Sequence, residues 1–211
     1  TQDNLATLRH YGFQVIEPAS GHLACGDSGK GKLCDIKDIL EYVDHYFQRS
    51  DLLKGKHVLI TAGPTQEALD PVRYLTNHSS GKMGYALAQA ALDMGASVTL
   101  ISGPVQLNAP KGAKLIPVKT AVEMFDAVVN CYEQADFIIK AAAVGDYRPL
   151  HVSEQKIKKS GDSLHIEFVK NPDILAYIGK HKRNDQILCG FAMETEHMVE
   201  HAQDGTDYSG K

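Results

Sequence analysis

An open, doubly wound α/β sheet, mostly parallel and with helices on both faces, is the fold class this 211-residue sequence predicts. Three observations point there. Apolar runs of about four to eight residues recur between helical patterns and Gly or Pro punctuation. The run at 56–63, KHVLITAG, is continuous rather than alternating, as in a strand covered on both sides. Residues 84–94, GYALAQAALDM, read as an Ala- and Leu-rich helix stopped by Gly95, and the apolar run SVTLIS follows at 97–102. Strand, helix and strand make one βαβ unit of a Rossmann-like sheet.

In chain order, residues 2–11 read as a short helix, 13–16 as a short strand, 20–31 as a Gly-rich loop and 36–47 as an amphipathic helix. About 50 residues bury too little surface to stand alone, so this α+β stretch is expected to be the tail of a larger unit, with its boundary in polar residues 48–54. The strand at 56–63 follows, then a polar loop over 64–80, where two to six residues are usual; long loops in compact domains tend to be functional. After the βαβ unit come a strand at 114–118, a helix over 121–134, a strand at 137–144 and a polar insertion at 146–161. Residues 164–168 alternate like a half-exposed strand, Pro172 suits the first turn of a helix, and 186–192 supplies another strand. From residue 203 the chain is polar and Gly-containing.

With 43% hydrophobic and 23% charged residues the chain has the composition of a globular protein with a real core. No apolar run approaches the roughly 18 residues of a membrane span, and the start TQDN has no signal-peptide character, so a cytoplasmic protein is expected. Four cysteines without CxxC spacing fit a reducing compartment and argue against structural zinc, and ten histidines show no HExxH pattern. A net charge of -4, with basic residues scattered apart from a cluster at 156–159, makes no case for nucleic acid.

The long loop ends in NHSSGKMG at 77–84 and runs straight into a helix, which brings free N–H groups and the positive end of the helix dipole together where a phosphate would sit. It is not a P-loop, because Thr76 and Met83 stand where that motif has Gly and Ser or Thr. The dinucleotide fingerprint fails at Ser79, and the next strand ends Ser102-Gly103-Pro104 without the acidic residue that would hold a ribose, which disfavours a nicotinamide oxidoreductase. Such a glycine-rich helix start also has a purely packing explanation. Arg73 has the planar fork for a carboxylate or phosphate and Asn77 offers donors and an acceptor, though either residue alone is ordinarily a solvated loop residue. Lys156 to Lys159 would neutralise a triphosphate or simply form a solvated turn. Asp146 follows an apolar strand, where open sheets bind ligands, and equally suits a cap. Cys25 lies in a glycine loop, either reactive or inert.

Read together, ITAGPTQEALDPVRY at 60–74 and NHSSGKMG at 77–84 closely resemble the phosphopantothenoylcysteine synthetase half of bacterial bifunctional coenzyme A biosynthesis flavoproteins. AAAVGDYR at 141–148, KIKK at 156–159, VKNPDI at 169–174 and GFAMET at 190–195 follow in the order and spacing of that family. NLATL at 4–8 and SGHLACGD at 20–27 resemble the end of its decarboxylase domain. The resemblance implies a decarboxylase remnant at 1–50, a synthetase domain at 51–202 that lacks its last elements, and a tail at 203–211 unlike the family.

It also implies a chemistry. CTP would activate the carboxylate of 4'-phosphopantothenate as an acyl cytidylate, and the amine of L-cysteine would then displace CMP. Lys156 would stabilise charge at the α-phosphate, with Mg2+ bridging the triphosphate, and Asn77 would hold the acyl phosphate during aminolysis. Arg73, Ala142, Gly81 and Lys82 would line the intermediate, and Gly63, Ser80, Gly84, Asp146, Lys159 and Phe191 the nucleotide. Cys25 would be the acid of the FMN-dependent decarboxylase, whose flavin-binding beginning the sequence does not contain. A homodimer through the synthetase half, of higher order with a full decarboxylase half, and weak ligase turnover by this chain alone are expected. The alternative is a catalytically silent nucleotide-binding or assembly fragment.

Overall fold

The computed structural model describes residues 2–22, 28–48, 50–159 and 163–191, and the chain divides into two units, Thr1–Arg49 and Ser50–Lys211. In the first unit, helix α1 (Gln2–His10) ends in Arg9 and His10, whose charges complement the negative end of the helix dipole. Strands β1 (Ala19–His22) and β2 (Ser28–Lys32) pair antiparallel, so the described ends of the segment expected to be a Gly-rich loop are strands. Glycine at 21 and 29 costs strand propensity but leaves the ladder intact, since these two residues face each other in register. The strand expected at 13–16 does not form, and Phe13 is exposed. Helix α2 (Ile36–Gln48) carries Ile36, Leu40, Val43 and Phe47 on one exposed stripe.

The second unit is built on β3 (His57–Ala62), whose run of β-branched and aliphatic residues is buried along nearly its whole length. The excursion that follows is not irregular: β4 (Gln66–Ala68) and β5 (Tyr74–Thr76) form a small antiparallel hairpin. Helix α3 (Lys82–Asp93) then returns the chain to β6 (Ser97–Ser102), parallel to β3, and β7 (Lys114–Pro117) follows on the outer side. Helix α4 (Ala121–Val129) starts on a capping box between Thr120 and Glu123. It is shorter than the sequence suggests, because residues 132–134 tighten into a 3-10 turn that puts Tyr132 into the core.

Strand β8 (Phe137–Lys140) completes the centre of the sheet. Its regular ladder stops four residues before the expected 144, yet pairing with the β3 segment runs on: the Ala141 N–H donates to Thr61 O at 3.2 Å, the Ala143 N–H to Gly63 O at 2.9 Å and the Thr65 N–H to Ala143 O at 3.2 Å. Strands β9 (Tyr147–Pro149) and β10 (Phe168–Lys170) pair antiparallel; the described part of the expected strand at 164–168 is extended only at its last residue. Helix α5 (Ile174–His181) is capped by Asp173, so Pro172 precedes the cap rather than occupying the first turn. Strand β11 (Ile187–Gly190) lies parallel to β8 at one edge. The sheet order is β11-β8-β3-β6-β7, all parallel.

The period of two along β3 sets the layers. Val58, Ile60 and Ala62, with Val98 and Leu100 of β6, pack on Tyr85, Ala88 and Ala91 of α3. Leu59, with Ile101 and Ile138, packs on Met124 and Val128 of α4 and Ile174 and Ile178 of α5. This is the doubly wound arrangement expected. No helix among the described residues is long and apolar enough to cross a membrane. Helix α3 lies very close to the sheet, and a Cβ on Gly84 would stand 2.5 Å from Ala62 Cβ. Gly84→Ala is therefore expected to lower stability by about 1–3 kcal/mol through overpacking, read as a lower urea midpoint at unchanged slope.

Candidate functional site

Parallel strands deliver the ends of β3 and β8 to one rim of the sheet, and the excursion 64–80 crosses it. Three buried side chains on that excursion tie it to three other segments. Thr65 Oγ1 accepts from the Gly145 N–H at 2.9 Å, Glu67 Oε1 from the Ala121 N–H at the start of α4 at 2.9 Å, and Asp70 Oδ2 from the Ile157 N–H at 3.1 Å. Buried acceptors need such donors, and here the donors come from far along the chain.

Asp70 sits at the hairpin tip, 3% exposed. Its Oδ1 accepts from the Val72 and Arg73 N–H groups, both at 2.8 Å, in an Asx turn around Pro71. Its Oδ2 accepts from Arg73 Nε at 2.9 Å and Nη2 at 2.5 Å. The Arg73 guanidinium above all, with backbone donors at Val72, Ile157 and Arg73, holds this carboxyl well below the usual carboxylate range against the opposing effect of burial. Arg73 Nη2 also donates to Ile157 O at 2.7 Å. The residue expected to line an intermediate thus has its fork engaged inside the protein, while Lys156 and Lys159 on either side of this anchor are exposed.

The glycines expected at a phosphate site pack tightly. Gly63 and Gly81 adopt left-handed conformations, φ 72 and 74°, and a Cβ on either would approach Val105 Cγ1 within 3 Å, at 2.9 and 2.8 Å. The Gly81 N–H already donates to Ser79 Oγ at 3.3 Å, and the Lys82 N–H faces Ser80 Oγ at 3.5 Å. Asn77 Nδ2 donates to Val144 O at 3.1 Å, and the Ala142 N–H to Thr61 Oγ1 at 3.3 Å, so both lie at the β3–β8 rim.

A cavity of about 370 Å³ opens at that rim, lined by Lys140, Val144, Gly145, Asp146, Tyr147 and the stretch 170–174. Of the expected site residues, Asp146 lines it and Asn77 bonds to one of its walls. Lys156, Lys159 and Arg73 do not line it, nor does Phe191, which is 53% exposed after β11. Cys25 lies outside the described residues. Sequence reasoning passed over Lys140, Lys170 and Asn171. The last joins the cavity walls: Nδ2 donates to Gly145 O at 2.8 Å, Oδ1 accepts from Arg148 Nη1 at 3.0 Å, and its N–H donates to Asp146 O at 2.7 Å. The run VKNPDI that contains it was a usable signal.

Residues 53–208 match the family described as DNA/pantothenate metabolism flavoprotein C-terminal domain, and residues 1–48 the family described as Flavoprotein. The chain belongs to the DNA/pantothenate metabolism flavoprotein family. Among curated relatives, the coenzyme A biosynthesis bifunctional protein CoaBC of Haemophilus influenzae is 48% identical over 97% of this chain and 51% of its own length, and that of Vibrio cholerae 50% identical over 96% and 51%. The chain spans about half the length of the curated relatives it matches. The crystal structure of the C-terminal domain of a CoaBC protein superposes with a TM-score of 0.67 at 45% identity, covering 76% of each chain. Its likeness bears out the α/β fold expected for this flavoprotein family.

The Asp70–Arg73 pair has a pH signature. A carboxyl depressed in the folded state contributes stability that is complete above its unfolded value, about 3.9, and disappears as pH falls through the folded value. Asp70→Asn is expected to lower the denaturation midpoint at pH 7, and the gap to the parent protein to narrow between about pH 5 and pH 3. A gap that stays constant over that range would assign the loss to shape rather than charge.

Proposed function

We propose that the second unit joins 4'-phosphopantothenate to L-cysteine at the expense of CTP, the ligase step of coenzyme A biosynthesis. The observation that carries this reading is the juxtaposition at one sheet rim of Asn77, Ala142 and the Asp146 cavity, on a chain that shares nearly half its residues with CoaBC proteins. The cavity walls contribute two lysines, Lys140 and Lys170, and two carboxylates, Asp146 and Asp173. Such a balanced lining suits the neutral base and sugar of a nucleotide better than its triphosphate. Positive charge for the phosphates is then left to the exposed Lys156 to Lys159 segment and to the helix start at Ser80 to Gly84.

In this mechanism a carboxylate oxygen of phosphopantothenate attacks the α-phosphorus of CTP, the α–β bridging bond breaks, and pyrophosphate leaves. Lys156 stabilises the charge that builds at the α-phosphate. The cysteine amine then attacks the acyl carbon and loses a proton as CMP departs, with the amide of Asn77 holding the acyl phosphate. No protein nucleophile is required, and positioning supplies most of the rate. Mg2+ would neutralise part of the triphosphate charge; the described residues gather no cluster of three or more metal-ligating side chains, so phosphate oxygens and water would hold it.

FMN and Cys25 belong in this reading to the decarboxylase of a longer protein. The family resemblance makes a homodimer the assembly expected of the ligase unit.

Pyrophosphate release by the purified protein with Mg2+, CTP and 4'-phosphopantothenate tests the reading. Lys156→Ala is expected to lower release about 100-fold or more, the usual cost of removing one transition-state donor. Asn77→Ala is expected to retain a first release of pyrophosphate and lose its acceleration by cysteine. Binding of CTP without any release would instead establish the silent nucleotide-binding fragment.

A further inference from the structure

We propose that Asp70 and Arg73 are a positioning pair whose task is to hold the backbone of Ile157 and thereby fix Lys156. The inference rests on the ligase reading for what Lys156 does, and on geometry for how it is held. Both polar groups of Ile157 are taken: its N–H donates to Asp70 Oδ2 at 3.1 Å and its carbonyl accepts from Arg73 Nη2 at 2.7 Å. The first of these lies in the peptide that joins Lys156 to Ile157, and the second in the peptide that leads to Lys158. One ion pair therefore sets two successive peptide planes on the C-terminal side of Lys156.

The N-terminal side is tied as well. The Ser153 N–H donates to Leu69 O at 3.0 Å, and Ser153 Oγ donates to Gln155 O at 2.6 Å. Residues 153–157 thus form a strap sewn to the hairpin tip at 69–73, with no other regular structure to hold it. An exposed lysine on a loose loop would meet a phosphate in many geometries; on this strap its backbone has one.

The chemistry of the pair suits the task. Asp70 and Arg73 neutralise each other, so the anchor adds no net charge beside an anionic substrate. A carboxylate takes an N–H and a guanidinium takes a carbonyl, so only an acid and base together grip both edges of one residue. Lysine in place of Arg73 keeps the charge but lacks the planar fork that reaches the carboxylate and the carbonyl at once. The sequence reading of Arg73 as a substrate clamp makes the opposite prediction, because lysine would then retain part of the binding.

Two measurements on Asp70→Asn and Arg73→Lys decide between them, each first checked for a cooperative thermal transition; if one variant does not fold, the other carries the test. In pyrophosphate release, each variant is expected to lower kcat at least tenfold with KM for CTP and phosphopantothenate within threefold. Neither is expected to slow the residual rate of a Lys156→Ala protein further. Losses that multiply in the Lys156→Ala background, or that fall on KM for phosphopantothenate, overturn the proposal. In brief native trypsin digestion without substrates, cleavage after Lys156, Lys158 and Lys159 is expected to accelerate at least tenfold in both variants. Unchanged cleavage also overturns it. Accelerated cleavage in a protein that releases no pyrophosphate would sustain the strap and reject the ligase reading, which separates the two failures.

Discussion

A 19-residue excursion between β3 and α3 must satisfy its own buried polar groups, and the way it does so organises this whole end of the sheet. Thr65, Glu67 and Asp70 are buried, and each accepts a backbone N–H from a different distant segment: Gly145 after β8, Ala121 at the start of α4, and Ile157 in the polar insertion. Leaving such an acceptor unmade costs about 1–3 kcal/mol, so each bond strongly favours one placement of its partner segment. The excursion is consequently less a loop than a hub. It links the two faces of the sheet at the rim where the strands end.

From this hub the division of labour between rigid and free charges follows. Groups whose position matters for other groups are paired: buried Asp70 with Arg73, buried Glu67 with the α4 terminus, and half-buried Asn171 between Gly145 and Arg148. Groups that would meet phosphate are exposed, as Lys156 and Lys159 are, or stand on a cavity wall. A buried free lysine would be costly and would shed its proton, whereas an exposed lysine on a fixed backbone keeps both its charge and its aim.

How much of this could be read from the residues depended on range. The five-stranded parallel sheet was legible because strands buried on both faces read as unbroken apolar runs, as VLITA and SVTLIS do, and because helix α3 announces itself by composition. The hairpin β4–β5 was not, since three-residue strands carry no period and Tyr74 and Leu75 are exposed. The pairing of β1 and β2 was hidden by glycines that ordinarily mark loops. The end of regular β8 at Lys140 left no mark in the sequence, since hydrophobicity continues through Val144 and pairing with the β3 segment through Ala143. Asp146 lines the cavity, and its position just after a strand is where the rule for open α/β sheets puts ligands. The partnership of Asp70 with Ile157 spans 87 residues and leaves no local trace.

Such long-range bonds also change what the glycine-rich helix start means. Gly63, Gly81 and Gly84 bring α3 within contact of β3 and Val105, and the first N–H groups of the turn face Ser79 and Ser80 hydroxyls. A phosphate arriving there would replace two serine contacts, one of them long at 3.5 Å, with charge-assisted ones. The close packing of these glycines is compatible with the anion-binding reading, since both use one geometry. Packing requires the missing side chains, and their absence leaves the backbone bare at the point where the helix dipole is positive. The same economy appears at Arg73, where a side chain suited to bind an anion binds Asp70 and the carbonyl of Ile157 instead, next to the exposed Lys156.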